Sequence, residues 1–523
     1  MYSLKPLQNE RNMIEKFLWV LPLCLWASIT LGQDLKRPNI VVFLVDDMGW
    51  QDTSVPFWDK TTIQNKHFRT PNMERLTAQA YKFVNAYANP LCTPSRVSLI
   101  TGANASRHHV TSWTKPDKSS PNLKIGEVDW NTNGVSPVPG IPHTFYATGL
   151  PEILRQNGYY TVLSGKGHFG PKDTPAADPR SLGFDLAIAS GEFSYPASYY
   201  GRKSYDNARD GASSRAAVKD LDSYHGTDIF LTEAITREAL KAIDRPVANN
   251  QPFFLYLAHY AVHTPIQADS NYVTNYQGKG LAPIDVAYAS LVESMDNSLG
   301  ILMDHLAKKS IDDNTVIIFL SDNGGVSIMP RWQDFAAGNR NAPLRSGKAT
   351  VYEGGIRIPF LFKDPRRKLE SPQEVKQYVQ IEDVFSTVLD IAEASNRDSI
   401  VQIVDGISLL PFVEDPSFVD SSRVLLWHLP HYKGNSAGWS SAIRKGEWKL
   451  IYNYNKEILS LYNLTEDIGE QNDLAATYPL KVEELALAFS ELLQERESRF
   501  PKRNSLRNRE IPLPIEVFRQ KNK

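Results

Sequence analysis

Cysteine is almost absent: the 523 residues contain two. Cys24 lies in an N-terminal apolar stretch, so the chain beyond that stretch holds a single thiol, Cys92, and no internal disulfide. A disulfide-stapled scaffold is excluded. Net charge is nearly absent too, with 57 Lys+Arg against 59 Asp+Glu leaving -2. A dedicated nucleic-acid binder carries a basic excess that this chain lacks. Internal repeats and low-complexity blocks are missing. The N-terminal apolar run Phe17–Gly32 is broken by Pro22 and falls short of the about 20 residues that a spanning helix needs. What is present looks globular: 42% hydrophobic and 22% charged residues exclude disordered, collagen-like and coiled-coil classes. The 33 prolines and 30 glycines mean many loops, which suits an enzyme better than a helical repeat.

The N-terminal run has the anatomy of an export signal. Arg11 and Lys16 form the charged flank, Phe17–Trp26 the apolar core, and Thr30-Leu31-Gly32 a small-residue cleavage site. We expect residues 1–32 to be a signal peptide, the mature chain to be periplasmic or secreted, and no membrane span after cleavage. A retained anchor is the alternative. Lipidation of Cys24 fits poorly, because Leu-Pro-Leu precedes it in place of a small residue.

Four unbroken apolar runs, Asn39–Val45, Tyr160–Leu163, Phe253–Ala258 and Thr315–Leu320, read as buried parallel strands. Helical patterns over Leu150–Gln156, Asp228–Ile243 and Asp285–Lys309 alternate with them, which predicts a doubly wound α/β sheet. Near Asp415 the character changes. Val424–His428, Ser441–Arg444 and Trp448–Tyr452 read as antiparallel strands, followed by a helix over Lys481–Gln494. The expected division is residues 33–415 and 416–523, with Arg496–Lys523 as a surface tail or wrap-around arm.

Each buried strand runs into chemistry. The first reaches Asp46-Asp47, the second Lys166 and His168, the third His259 and His263, the fourth Asp322-Asn323. Ligands of open α/β sheets bind outside the carboxyl ends of the strands, so four strands deliver these groups to one rim. Asp46, Asp47, Asp322 and Asn323 are hard oxygen donors, suited to Ca²⁺ first and Mg²⁺ second, not to zinc or copper. Cys92-Thr93-Pro94-Ser95-Arg96 opens a helix ending at Gly102, so Cys92 sits where backbone N–H groups and Arg96 favour an anion.

That pentapeptide with Thr101-Gly102 resembles the signature of type I sulfatases, whose cysteine is oxidised to formylglycine by a dedicated maturation enzyme. Pro38-Asn39-Ile40 through Asp46-Asp47-Met48-Gly49-Trp50 resembles the family's opening strand and metal aspartates. Thr70-Pro71-Asn72 through Leu76 is similar to its next helix. Gly165-Lys166-Gly167-His168 resembles its lysine-histidine motif, with Gly167 where Trp is usual. Ser321-Asp322-Asn323-Gly324-Gly325 and Gly347-Lys348 through Gly354-Gly355 follow in order, and Ala442-Ile443-Arg444, Trp448-Lys449-Leu450 and Leu461–Leu464 resemble the family's C-terminal part.

The resemblance implies an alkaline-phosphatase-like fold: a large, mostly parallel sheet flanked by helices, with residues 33–415 catalytic and a smaller C-terminal antiparallel sheet with a helix. It implies formylglycine at residue 92 and a divalent cation held by Asp46, Asp47, Asp322, Asn323 and the modified Cys92. Lys166 and Lys348 would bind sulfate oxygens, Arg96 would steady residue 92, His263 would serve the leaving oxygen, and His168 would take a proton from the second hydroxyl of residue 92. His259, one turn from His263, competes for the acid role. Exported sulfatases of this build, bacterial in character, act on sulfated polysaccharides or oligosaccharides, so such a carbohydrate is the expected substrate. His428, His431 and Trp113 are its candidate contacts, with Trp427–Tyr432 as a loop over the site. Two readings compete: a phosphonate or phosphodiester hydrolase of the same superfamily, and a catalytically silent protein that binds sulfated glycan.

Overall fold

A strand covered by helices on both faces is apolar along its whole length, and such runs form the centre of this molecule. The computed structural model describes residues 37–114, 132–208, 213–327, 340–367, 369–431, 439–501 and 511–521. The expected signal peptide lies outside them. In chain order the large sheet is built from Asn39–Val45 (β1), Tyr81–Phe83 (β2), Tyr160–Gly165 (β3), Leu186–Ile188 (β4), Phe253–Ala258 (β5), Thr315–Ser321 (β6), Phe360–Lys363 (β7) and Gln373–Val375 (β8). Their spatial order is β8-β2-β7-β6-β1-β5-β3-β4. The run β6-β1-β5-β3-β4 is parallel, and β7 is antiparallel to both of its neighbours. The expected large, mostly parallel α/β sheet is therefore the one observed.

Register puts the strand ends level. Gly165 pairs with Ala258, Ala258 with Leu44, and Val45 with Ser321, so four chains leave the sheet along one edge. Alternate side chains of β1 face opposite ways. Val41, Phe43 and Val45 pack with Leu291, Met295 and Leu299 of the helix Pro283–Lys308. Ile40, Val42 and Leu44 pack with Val97, Leu99 and Ile100 of the helix Cys92–Thr101 (α1). The helix expected over 228–243 runs instead from Leu231 to Ala248. Pro246 falls in its last turn, where little helix remains to be broken.

The C-terminal part forms a four-stranded antiparallel meander: Val424–Leu429 (β9), Ser440–Lys445 (β10), Trp448–Asn453 (β11) and Ile458–Asn463 (β12). The helix Pro479–Glu495 covers it. One expectation is corrected and one pair of alternatives is decided. Residues 427–429 belong to β9 and not to a loop, because Trp427 is wholly buried against Tyr87 and Leu91; Tyr432 lies outside the described residues. Of the surface tail and the wrap-around arm expected for Arg496–Lys523, residues 511–521 follow the second: Ile511, Ile515 and Val517 bury themselves in the meander's core beside Leu485 and Phe489.

Buried charge ties the meander to the large sheet. Lys449 Nζ on β11 donates to Glu353 Oε1 and forms an ion pair with Glu470 Oε1, both at 2.8 Å, with all three side chains shut off from water. Glu353 Oε2 accepts from Arg357 Nε and from Tyr87 Oη, each at 2.9 Å. Removing one partner from a buried charge network strands the others, at a cost of about 3–5 kcal/mol. We expect Lys449→Met to lose about that much stability, measured as a lowered urea midpoint at unchanged slope.

Candidate active site

Three buried ion pairs stand on the rim where the strands end. Asp46 and Asp47 follow β1, and Lys166 Nζ donates to Asp46 Oδ2 at 2.6 Å. Lys348 Nζ, from the segment after residue 340, donates to Asp47 Oδ1 at 2.5 Å. Asp322, directly after β6, accepts from Arg96 Nε at 2.9 Å through Oδ2 and from the Asp47 N–H at 3.2 Å through Oδ1. Arg96, at the start of the second turn of α1 and fully buried, also donates to the Lys166 carbonyl at 2.6 Å. Lys166 arrives through a crowded turn. Gly165 has φ +105° and a Cβ there would lie 1.9 Å from the Ala258 carbonyl oxygen, so only glycine fits.

Cys92 opens α1 itself, one residue inside the helix, and is 2% exposed. Its Sγ lies 3.7 Å from His168 Nδ1. His168 and Asp47 both hold left-handed backbone, φ +57° and +65°, costing on the order of 1–3 kcal/mol each. Thr93 was not singled out by sequence reasoning, yet its Oγ1 lies 3.0 Å from His168 Nδ1 and accepts the Thr114 N–H at 3.2 Å. Its position beside Cys92 in the first helical turn was the available signal.

The titrating groups respond to burial and to one another. Burial lifts the Asp46 carboxyl to about 8 against the pull of Lys166, with Asp322 and Asp47 adding repulsion. Burial acts on Asp47 too, but Lys348 and His263 hold it well below the usual carboxylate range. Burial, with Lys166 and Arg96 nearby, keeps His168 far below its ordinary value, hence neutral. His263 is pushed down to about 3 by burial, although Asp47 Oδ2 lies 3.5 Å from its Nε2.

These residues fit a divalent cation. Asp46 Oδ1 and Asn323 Oδ1 are buried and accept no hydrogen bond from any described residue. Buried oxygens without a donor are costly, so they call for positive charge. Asn323 donates its amide to Asp47 Oδ1 at 2.8 Å, so the amide is fixed beside that carboxylate. Donor atoms of Asp46, Asp47 and His263 lie within 4.8 Å of one another. Asp322 is shared with Arg96 more closely than the ligand set expected from the resemblance implied.

A family model described as Sulfatase matches residues 38–394, and one described as N-sulphoglucosamine sulphohydrolase, C-terminal, matches residues 346–498. A Formosa agariphila protein named Sulfatase is 28% identical over 506 residues, covering 87% of each chain. N-acetylgalactosamine-6-sulfatase of Canis lupus familiaris is 31% identical over 430 residues, covering 80% of this chain and 72% of that protein. The crystal structure of Ps i-CgsB in complex with k-i-k-neocarrahexaose aligns with a TM-score of 0.67 at 27% identity, covering 88% of this chain and 93% of that one. The fold is the alkaline-phosphatase-like one these neighbours share.

Other candidates stand apart from the cluster. His428 is corrected from substrate contact to structural residue: its Nδ1 meets Ser441 Oγ at 2.7 Å and its Nε2 the Arg499 carbonyl at 2.8 Å, so neither nitrogen is left for a ligand. His431 is corrected likewise, being 3% exposed with Nε2 at 2.6 Å from Thr111 Oγ1. Trp113 is half-buried against the cluster of Tyr87, Leu91 and Trp427, next to Thr114, whose carbonyl lies 3.3 Å from His168 Nε2. His108 bonds Ser98 Oγ and the Val110 N–H. His259 turns away from the rim to Ser298 Oγ at 2.8 Å, against the Phe43 ring, and burial pushes it down to about 3.

Folded His259 therefore refuses a proton that the unfolded chain accepts below about 6.5, and its share of stability is lost as pH falls from there toward 3. We expect the stability gap between wild type and His259→Gln to narrow by about 1.4 kcal/mol per pH unit between roughly pH 6 and 4, followed by urea unfolding at each pH.

Proposed function

Because the chain belongs to the sulfatase family, and is a sulfuric ester hydrolase, we propose that it removes O-sulfate groups from a polysaccharide or oligosaccharide. One observation carries the reading. Lys166, Lys348 and Arg96 are buried around the opening of α1, each paired to a carboxylate and so fixed in place. Fixed cations gathered on one rim suit a group whose oxygens gain negative charge as its ester bond breaks. The carbohydrate preference draws on the canine relative named N-acetylgalactosamine-6-sulfatase and on the neighbour solved with a neocarrahexaose.

In this reading Cys92 is formylglycine, made by a separate maturation enzyme, and Asp46, Asp47, Asp322, Asn323 and residue 92 hold Ca²⁺, with Mg²⁺ second. Formylglycine would supply a hydrated aldehyde whose hydroxyl attacks sulfur, and the cation would supply positive charge against the sulfate oxygens. Lys166 and Lys348 bind those oxygens and orient the S–O bond. Arg96, locked to Asp322, steadies residue 92. His263 Nε2 serves the leaving sugar oxygen as its bond to sulfur breaks; to give it a proton the ring must first be protonated, which the Asp47 carboxylate 3.5 Å away and the negative charge of bound sulfate favour against burial. Neutral His168 takes a proton from the second hydroxyl of residue 92, which releases sulfate. The sum is one water consumed, one alcohol and one sulfate formed.

Export rests on residues 1–32, and among the described residues no helix is long and apolar enough to cross a membrane. We keep the division at 415/416 as a proposal, noting that the C-terminal family match begins at residue 346.

Peptide mass analysis of active protein is the direct test: residue 92 should carry the mass of formylglycine. Cys92→Ser, produced in a host that does not convert serine, should be folded and inactive. A free thiol with undiminished sulfate release would overturn the mechanism. His263→Ala should lower kcat about 10²-fold or more on a sugar sulfate and less on an activated aryl sulfate, whose leaving oxygen needs little protonation. Equal losses on both would leave His263 a sulfate-binding group only.

A further inference from the structure

Residues 191–199 join the two histidines of the site. The His168 N–H donates to the Gly191 carbonyl at 3.3 Å at one end. At the other, the Tyr199 hydroxyl donates to the carbonyls of Tyr260 and His263, at 2.7 and 2.8 Å. Between these ties, Phe193 is buried and stacked on Tyr260 with centroids 6.1 Å apart. Ala197 is buried as well. Tyr195 is held between two anchored neighbours and yet is 47% exposed.

Its ring runs parallel to that of His263, 7° between planes and 6.2 Å between centroids. Of the large apolar side chains left exposed among the described residues, Tyr195 is the one stacked on a candidate proton-transfer group. An exposed aromatic face costs solvation, and a rigid one beside a polar centre is the usual build of a site that takes a ring with one apolar and one polar side. A sugar ring has that character: its C–H face is apolar and its hydroxyl edge polar.

We propose that Tyr195 is a specificity-determining residue, a platform for the face of the pyranose ring whose sulfated oxygen meets His263. This rests on the carbohydrate reading above and narrows it: the ring bonded to the departing sulfate, not a flexible acyclic chain, is what the site grips.

The test compares wild type, Tyr195→Ala and Tyr195→Phe on O-sulfated oligosaccharides, with inorganic sulfate as a competitive inhibitor. Tyr195→Ala should raise KM for the sugar sulfate about tenfold while kcat falls less than threefold and the inhibition constant of sulfate stays put. Tyr195→Phe, which keeps the ring face, should restore KM. An unchanged KM in Tyr195→Ala would overturn the platform. So would a sulfate inhibition constant that rises in step, since Tyr195 would then act through His263, and so would an equal loss in Tyr195→Phe, which would move the effect to the hydroxyl. Wild-type protein that releases sulfate from aryl esters but from no sulfated sugar would instead overturn the carbohydrate reading, and this proposal with it.

Discussion

Charge held out of water at the end of a parallel sheet is the constraint on which the rest of this structure depends. Asp46, Asp322, Lys166 and Arg96 are wholly buried, and Asp47 and Lys348 nearly so. Desolvating any one of them alone costs several kcal/mol, and the cost is offset only if every partner stays in place. The three pairs are also cross-linked: Arg96 holds both Asp322 and the Lys166 carbonyl, and Asp322 holds the Asp47 N–H. They stand or fall as a group. A site built this way is rigid before its ligand arrives, which is what electrostatic stabilisation of developing charge requires.

The scaffold exists to keep that group registered. Parallel pairing brings the ends of β1, β3, β5 and β6 level within the sheet, so backbone hydrogen bonds, not loops, set the spacing of the aspartates, lysine and asparagine. Lys348 is different, since it comes from an irregular segment. Its N–H donates to the Gly325 carbonyl at 3.0 Å, and the next residue's N–H to the Pro90 carbonyl, just ahead of Cys92, at 2.8 Å. That segment continues into Glu353, which is gripped from the meander by Lys449. A second buried charge cluster, on the far side of the chain's sequence, therefore braces the first.

Much of the fold could be read from the chain. β1 and β5 occur where continuous apolar runs end abruptly in polar residues, and the helix over Leu150–Gln156 stops at Asn157-Gly158. Other elements were hidden. β12, Ile458–Asn463, has half-exposed Ser460 between its buried leucines and is a strand because β11 supplies a hydrogen-bonding edge. The terminal helix Pro514–Lys521 is short and half polar by composition; Ile515 and Val517, with Ile511 just ahead of it, decide that it packs.

The site divides the same way. From residue types and their place after strands, the sequence alone pointed to hard oxygen donors, one lysine and histidines at the rim, and to a thiol at a helix start; Lys348 was reached only through the family resemblance, since it follows no strand. The sequence could not rank the histidines. His259 and His263 are four residues apart on one chain, yet one faces Ser298 of a buried helix and the other faces Asp47. His428 and His431 sit in a motif rich in ring-binding residue types and are consumed by Ser441, Arg499 and Thr111. Nor does spacing mark Tyr195, whose meaning comes from the ring beside it. A side chain's chemistry is written in its own atoms, but its burial and its partners belong to residues tens to hundreds of positions away, and only the packed tertiary structure brings those within reach.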